Sequence, residues 1–273
     1  MKASFRTHLI SHILLVAACV ATLLPLLWVA RTSLVSKIAA YTIPPDWSAA
    51  LSLESYKTVF VERRFAGYFL NSLVISFVSA TLAVLIGAFV SYGLVRTRRR
   101  TGSLKLAVLS GQLFPRIVLI IPLYVLVRTI GGLDTYWVFV VGYLAFLLPA
   151  AVAVLLPYLD SVPLELEEAA MIDGASRATV LRRIVLPLAL PGVSAAWMFA
   201  FVLGWNEFLF PLFLGGRNTR TLTVGISAFV TQRGVDIGPT AAATMIAILP
   251  ALAIGMIARR SLIQGITSGG VRG

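Results

Sequence analysis

The sequence has few cysteine, histidine and lysine residues, and each scarcity excludes a class of site. Its one cysteine, Cys19, lies in an apolar run, which excludes a disulfide or a multi-thiolate metal centre within the chain. Its two histidines, His8 and His12, lack the further ligands of a metal site. With four lysines and no G-x-x-x-x-G-K-S/T pattern, the chain cannot hydrolyse ATP through a phosphate-binding loop of that kind. Since no Ser/His/Asp arrangement is apparent either, we expect no catalytic residue, metal or cofactor.

Charged residues are also scarce, at 12% of 273 residues, whereas 59% are hydrophobic. That balance is too apolar for a soluble domain of this size, and several apolar runs approach or exceed the ~20 residues that cross a bilayer as a helix. The formal net charge of +12 would suggest nucleic acid as the partner of a soluble chain. Here the basic residues lie between the apolar runs, so membrane topology explains them better and we expect no nucleic-acid partner.

Six apolar runs predict an all-α integral membrane protein, with a single transmembrane domain covering residues 1–273. The first run could also be a signal peptide, but it is long for one and five more runs follow, so we interpret it as an uncleaved helix. A polar loop, residues 159–191, separates the fourth run from the fifth. The predicted spans are about 13–30, 68–95, 106–127, 137–158, 192–214 and 240–258.

The distribution of lysine and arginine predicts which side of the membrane each loop faces. The two termini, the loop after the second span and the 159–191 loop together carry 13 of these residues, against 9 in the opposite loops. The cluster Arg96, Arg98, Arg99 and Arg100 directly follows a span, where charge has most effect on topology. We therefore expect both termini and the 159–191 loop to face the cytoplasm.

The 159–191 loop predicts two short helices joined at a glycine, and we refer to its residues 163–187 as the elbow. Pro163 suits a helix start, and acidic residues follow it near the positive end of the helix dipole. Gly174 can adopt the left-handed conformation that ends a helix, and Ser176 is a suitable cap for the next one. Small alanine side chains in the first helix would let the elbow lie close to another surface.

The elbow resembles the cytoplasmic EAA loop of the membrane subunits of ABC importers. That family's pattern is Glu-Ala-Ala, three residues, Gly, nine residues and Ile-x-Leu-Pro, and here it falls on Glu168-Ala169-Ala170, Gly174 and Ile184-Val185-Leu186-Pro187. The resemblance implies a coupling helix that docks into a groove on the ATP-hydrolysing subunit. The residues that it implicates in ATPase coupling are Glu167, Glu168, Ala169, Ala170, Asp173, Gly174 and Ala175.

Other segments are similar to the maltose-type carbohydrate permeases, and in particular to the second of their two permease subunits. These segments are Leu24–Trp28, Asn71–Leu73, Ile121–Tyr124, Trp205–Phe208 and Gly269–Gly273. The resemblance implies a fold of the type I ABC importer kind with six transmembrane helices, in a bacterial or archaeal plasma (inner) membrane. It implies import of a sugar or sugar-like solute, glycerol phosphates included, driven by separate ATPase subunits. The implied partners are a homologous permease, two ATP-binding subunits, an extracytoplasmic solute-binding protein and membrane lipid.

Two ionisable residues lie inside predicted spans, where charge is costly. Arg116 is about 15 Å and Glu207 about 24 Å from the inner ends of their spans at a rise of 1.5 Å per residue, so the sequence leaves open whether they pair. One interpretation places Trp205, Asn206 and Glu207 in the solute pathway, with hydrogen bonds to sugar hydroxyls and an aromatic stacking face. The other gives them a bracing role in the helix bundle or a contact with the second permease.

A secondary transporter or channel that works without an ATPase is the alternative function. Such a protein would be expected to show carboxylates for a coupling ion or a repeated broken-helix pattern near the middle of the membrane. Glu207 is the only carboxylate inside a predicted span, and no internal repeat is clear. A membrane-embedded enzyme would need His, Asp or Ser residues that converge at one depth, and the sequence shows none. The ABC importer permease is therefore the preferred hypothesis.

Overall fold

The computed structural model describes residues 5–44, 46–97, 102–232 and 234–269. Most of the described chain is helical, as the sequence predicts. The basic cluster Arg98–Arg100 and the end of the tail, Gly270–Gly273, lie outside the described residues. The elements are α1 (Phe5–Ser33), α2 (Glu54–Lys57), α3 (Phe65–Arg96), α4 (Gly102–Ser110), α5 (Arg116–Thr129), α6 (Tyr136–Asp160), α7 (Leu164–Ile172), α8 (Arg177–Val180), α9 (Leu186–Leu188), α10 (Leu190–Trp205), α11 (Leu209–Leu214), α12 (Leu222–Ser227), β1 (Val230–Thr231), β2 (Gly234–Val235) and α13 (Ile237–Gly269).

Four described helices, α1, α3, α6 and α13, are long and apolar enough to cross a membrane. Two bent pairs raise that number to six if each pair is one span. The first pair, Gly102–Leu113 and Arg116–Thr129, bends by 84°, and the second, Arg177–Leu188 and Leu190–Trp205, bends by 80°. The range of four to six includes the predicted number of six transmembrane helices, while the exact bounds of the spans stay predictions.

Two of the predicted spans are broken helices rather than straight ones. In the predicted span 106–127, the chain leaves the helical conformation at Phe114 and Pro115, and α5 begins at the next residue. Proline favours a break because it has no N–H group for the helical hydrogen bond. The predicted span 192–214 is interrupted at Asn206–Phe208, between α10 and α11. Hydrophobicity alone does not reveal these breaks, because the segments on both sides remain apolar.

The chain forms two compact units. The first contains the residues up to Ala66 together with Gly225–Leu249. The second contains Gly67–Val224 together with the residues from Pro250 onward, so it includes the elbow and both helix breaks. In the first unit, β1 and β2 form a short antiparallel hairpin.

Small residues on α10 let α6 pack closely against it in the second unit. Gly192, Ala196, Ala200 and Gly204 recur every four residues and are buried, so they share one face of the helix. A Cβ atom on Gly192 would meet the ring of Tyr158 at 2.2 Å. Membrane helices use such stripes because close backbone approach increases van der Waals contact. The stripe fixes α10, whose end leads directly into the predicted pathway segment.

Candidate functional site

The elbow is a pair of short helices joined by a tight turn. Helix α7 ends in two backbone hydrogen bonds, from Gly174 N to Met171 O at 3.1 Å and from Ala175 N to Ala170 O at 3.0 Å. These bonds form a Schellman motif, which satisfies carbonyls at the helix end and favours a left-handed residue. Gly174 has a φ of +88°, which confirms the predicted conformation. Nothing lies within 4 Å of the position that its Cβ would occupy, so conformation rather than space requires glycine here.

The second half of the elbow begins with the predicted cap. Ser176 Oγ accepts a hydrogen bond from Thr179 N at 3.3 Å and so satisfies one donor at the start of α8. Val180, Leu181 and Val185 are buried and anchor this half in the second unit. The apolar side chains of the first half, α7, stay at the surface. That half is therefore not anchored by apolar burial.

The elbow exposes most of the residues that the resemblance assigns to ATPase coupling. The exposed or partly exposed ones are Glu168, Ala169, Ala170, Asp173, Gly174 and Ala175. Glu167 differs from its neighbours, since it is only 1% exposed. Its side chain therefore lies inside the chain and not on the surface that the other six residues form.

Both oxygens of the buried Glu167 carboxylate accept hydrogen bonds from other residues of the chain. Its Oε1 accepts a hydrogen bond from Arg96 Nε at 2.6 Å, and its Oε2 accepts one from Tyr92 Oη at 2.8 Å. Arg96 Nη2 also donates to the backbone oxygens of Leu159 at 3.2 Å and Val162 at 2.7 Å. A buried charge is tolerated when it is paired and hydrogen-bonded in this way.

Arg116 and Glu207 form an ion pair that joins the two helix breaks. Arg116 is the first residue of α5, and Glu207 lies between α10 and α11. The Nη1 group of Arg116 donates to Glu207 Oε2. The guanidinium carbon also lies 4.1 Å from the centre of the Phe146 ring, in a cation–π contact. The structure thus answers the question that the sequence left open, and the two residues pair.

The second carboxylate oxygen of Glu207 accepts hydrogen bonds from the backbone. Its Oε1 accepts hydrogen bonds from Leu209 N at 2.9 Å and Phe210 N at 3.3 Å, which caps the start of α11. Its own carbonyl accepts from Thr223 Oγ1 at 2.8 Å. At 2% exposure, Glu207 offers almost no surface to a solute. This geometry favours the bracing role for Glu207.

The two neighbouring pathway residues differ in exposure. Trp205 is 3% exposed. Its ring stacks on Phe201 with centroids 5.8 Å apart and meets Phe69 edge to face at 5.4 Å. Asn206 is exposed, and its Nδ2 donates to Val202 O at 2.8 Å. Of the three predicted pathway residues, Asn206 alone presents its side chain to a surface.

No sequence motif marks Asp134, yet it connects the α5–α6 link to the segment after α11. Its carboxylate accepts hydrogen bonds from the backbone N–H groups of Gly216 at 3.0 Å, Asn218 at 3.1 Å and Thr219 at 2.9 Å. Burial raises the pKa of Asp134, but the hydrogen bonds from Thr219, Asn218 and Gly216 outweigh it and lower the pKa below its usual value. The sequence contains one signal for this turn, the pair Gly131-Gly132 shortly before Asp134. Aspartate tolerates the positive φ of such turns, and Asp134 has a φ of +60°.

Asn71 extends this polar network. Its Nδ2 donates to the backbone oxygens of Asn218 at 2.9 Å and Arg220 at 3.0 Å, and its Oδ1 accepts from Tyr136 Oη at 2.6 Å. The family resemblance marked this residue, and the sequence favours a packing or hinge role for it rather than ligand binding. The structure shows that it fixes the segment that follows α11 against the start of α3.

Comparison with known proteins gives consistent matches along most of the chain. Residues 83–268 match the family described as binding-protein-dependent transport system inner membrane component. The chain is 31% identical over 257 residues to the trehalose transport system permease protein SugB of Mycobacterium tuberculosis, which covers 92% of this chain and 93% of that protein. It is 31% identical over 254 residues to the sulfoquinovosyl glycerol transport system permease protein SmoH of Agrobacterium fabrum, which covers 92% and 89%.

A solved structure has the same fold. A chain from a bacterial ABC transporter involved in the import of the acidic polysaccharide alginate superposes with a TM-score of 0.78, over 95% of this chain and 99% of that one. The two sequences are 18% identical, so this likeness concerns the fold alone.

Proposed function

The chain belongs to the family of binding-protein-dependent transport system inner membrane components, and from that premise we propose that it carries a sugar or sugar-like solute into the cell. It is a permease subunit of an ABC importer, a multi-pass inner-membrane protein, and ATP hydrolysis belongs to separate subunits. The solute class is supported by the two relatives, one a trehalose permease and the other a sulfoquinovosyl glycerol permease.

ATP hydrolysis in the partner subunits acts on this chain through the elbow. The geometry of the elbow is the single observation on which the proposal depends. Its Schellman turn holds two short helices in a fixed bend, and Glu168, Ala169 and Asp173 are exposed on it. Small and acidic side chains at a fixed bend suit insertion into a groove on a soluble subunit. The orientation that this requires, with the elbow and both termini in the cytoplasm, agrees with the distribution of basic residues.

The working transporter contains this chain, a homologous permease, two ATP-binding subunits and an extracytoplasmic solute-binding protein. The family description supports the last of these, because it names transport systems that depend on a binding protein.

The solute passes along the break between α10 and α11, and Asn206 is the pathway residue that contacts it. Its exposed amide can donate to and accept from sugar hydroxyls. Trp205 and Glu207 support this contact from within, because the first is stacked in the core and the second caps α11.

The proposal is tested by purifying the complex through a tag on this chain and by measuring uptake in the same cells. We expect an ATPase to copurify and one or more radiolabelled sugars from a panel, glycerol phosphates included, to accumulate only when the chain is present. An autonomous channel or secondary transporter would be isolated without an ATPase and would accumulate solute in cells that lack one. That result would overturn the importer assignment.

A further inference from the structure

We propose that Glu167 and Arg96 form a positioning clamp that makes α7 and the end of α3 move together, so that docking at the elbow displaces a membrane helix. Glu167 thus acts inside its own chain rather than on the surface of the ATPase. The proposal rests on the proposed function, because it presumes that the elbow docks on an ATP-hydrolysing subunit.

Helix α7 is attached to its own chain by charge rather than by an apolar face. Among its nine residues, all of which the structure describes, Glu167 is the one buried side chain. Leu164, Leu166 and Ile172 remain exposed by 40%, 46% and 85%. A helix that packed on its own chain would normally bury such an apolar set. The exposed apolar side chains of α7 are therefore free to contact a partner, and Glu167 supplies the buried contact of α7 with α3.

A cleft lies between the end of α3 and the start of the elbow. Its volume is about 640 Å³, and Gly93, Thr97, Leu164 and Met171 are among the residues that line it. Close apolar packing is therefore missing where these two elements face each other. The side chains of Arg96 and Glu167, which also line the cleft, bridge it with a hydrogen bond of 2.6 Å.

Two residues of α3 donate hydrogen bonds to the two oxygens of the Glu167 carboxylate, so the orientation of the carboxylate relative to α3 is fixed. Tyr92 and Arg96 are four residues apart on that helix and so lie on the same face. The guanidinium also binds the carbonyls of Leu159 and Val162, at the end of α6 and in the link to α7. Carbonyls at a helix end lack partners within the helix, so these bonds satisfy groups that would otherwise be unpaired. One side chain thus connects α3, α6 and α7.

The chemistry of the clamp requires an arginine and a carboxylate. Lysine would keep the charge, but its single ammonium lacks the planar fork that reaches a carboxylate and two carbonyls together. Glutamine at position 167 would keep the shape and lose the charge that pairs with Arg96, whose side chain is only 16% exposed. Displacement of the elbow would then be absorbed in the cleft and would not reach α3.

The test compares the wild type with Glu167→Gln and Arg96→Lys in the complete transporter, reconstituted in proteoliposomes with its ATPase, second permease and binding protein. Glu165→Gln is the matched control, because Glu165 is an exposed carboxylate on the same helix. We expect solute transported per ATP hydrolysed to fall about fivefold or more in both clamp variants, the low end of the usual coupling between linked sites. Tyr92→Phe, which removes one hydrogen bond and no charge, should have a smaller effect.

A distance measurement gives a second readout that does not depend on activity. Spin labels at Thr97 and Leu164, on opposite sides of the cleft, in a Cys19→Ser background should give a narrow distance distribution in the wild type and a broad one with Glu167→Gln. An equal loss of assembly, ATPase activity and uptake, with unchanged distances, would show an ordinary folding role and overturn the proposal. Normal coupling in both clamp variants would overturn it as well. A wild-type complex without an ATPase would instead refute the importer assignment on which the proposal rests.

Discussion

Replacing Gly174 with alanine should weaken the binding of the ATPase subunits by about 5- to 30-fold. The added methyl group would meet no atom within 4 Å, so a clash contributes nothing. At a φ of +88°, a residue with a Cβ atom pays roughly 1–2 kcal/mol. In the alanine variant we expect the undocked elbow to relieve this strain by changing φ, whereas docking requires the original bend, so the cost falls on the docked state. A cost of 1–2 kcal/mol corresponds to a factor of about 5–30 in an equilibrium constant.

The matched control is Gly67→Ala. Gly67 also has no atom within 4 Å of its Cβ position, but it lies in α3, where alanine is the better residue by about 1 kcal/mol. The two variants add the same methyl group in open space and differ only in backbone conformation. Permease heterodimers in nanodiscs would be titrated with ATPase subunits, and the Kd would be determined for each variant.

We expect a higher Kd for Gly174→Ala and an unchanged Kd for Gly67→Ala. Gly174→Val should be at least as damaging as alanine, because branching at Cβ further restricts the backbone. Ala169→Trp should weaken docking by a different route, since it places a large ring on the exposed face. Equal Kd values for Gly174→Ala and Gly67→Ala, with normal uptake, would refute the view that docking needs this turn.

Three further predictions concern the second unit. Glu207→Gln should lower the free energy of unfolding by about 1–3 kcal/mol, less than for a fully buried pair because Arg116 is 37% exposed, and thermal unfolding of the purified complex would show it. Asn206→Ala should reduce solute uptake while thermal stability and basal ATPase activity stay normal, and normal uptake would remove it from the pathway. Asp134→Asn should lower the Tm at neutral pH. Because the pKa of Asp134 is lowered in the folded state, its contribution is complete well above the ordinary aspartate pKa and is lost as the pH falls through the folded value, so the Tm difference between wild type and variant should shrink only in acid.

The local structure of the elbow followed from the sequence because its determinants are neighbours in the chain. A glycine that ends one helix and a serine that caps the next need only the residues within one turn, and both predictions, at Gly174 and Ser176, are confirmed. The membrane class followed for a similar reason, because hydrophobicity summed over ~20 residues does not depend on packing.

The burial of the Glu167 side chain could not be predicted from its neighbours in the sequence. The family resemblance placed Glu167 among the coupling residues, and a resemblance in sequence does not show which way a side chain points. Its burial depends on Arg96, which is 71 residues away. A carboxylate in the first turns of a helix is favourable whether it faces solvent or a buried arginine, so the local pattern could not distinguish the two.

The sequence alone therefore determined the membrane class and the local structure of the elbow, and the tertiary structure determined where the spans break and which charges meet. Arg116 and Glu207 are 91 residues apart, and they pair where the chain leaves the helical conformation, directly after Phe114–Pro115 and within Asn206–Phe208. Asp134 and Thr219, 85 residues apart, required two turns to lie side by side. Helix propensity and hydrophobic runs are short-range properties, whereas the position of a buried charge depends on how distant segments pack around it, and only the folded chain contains that information.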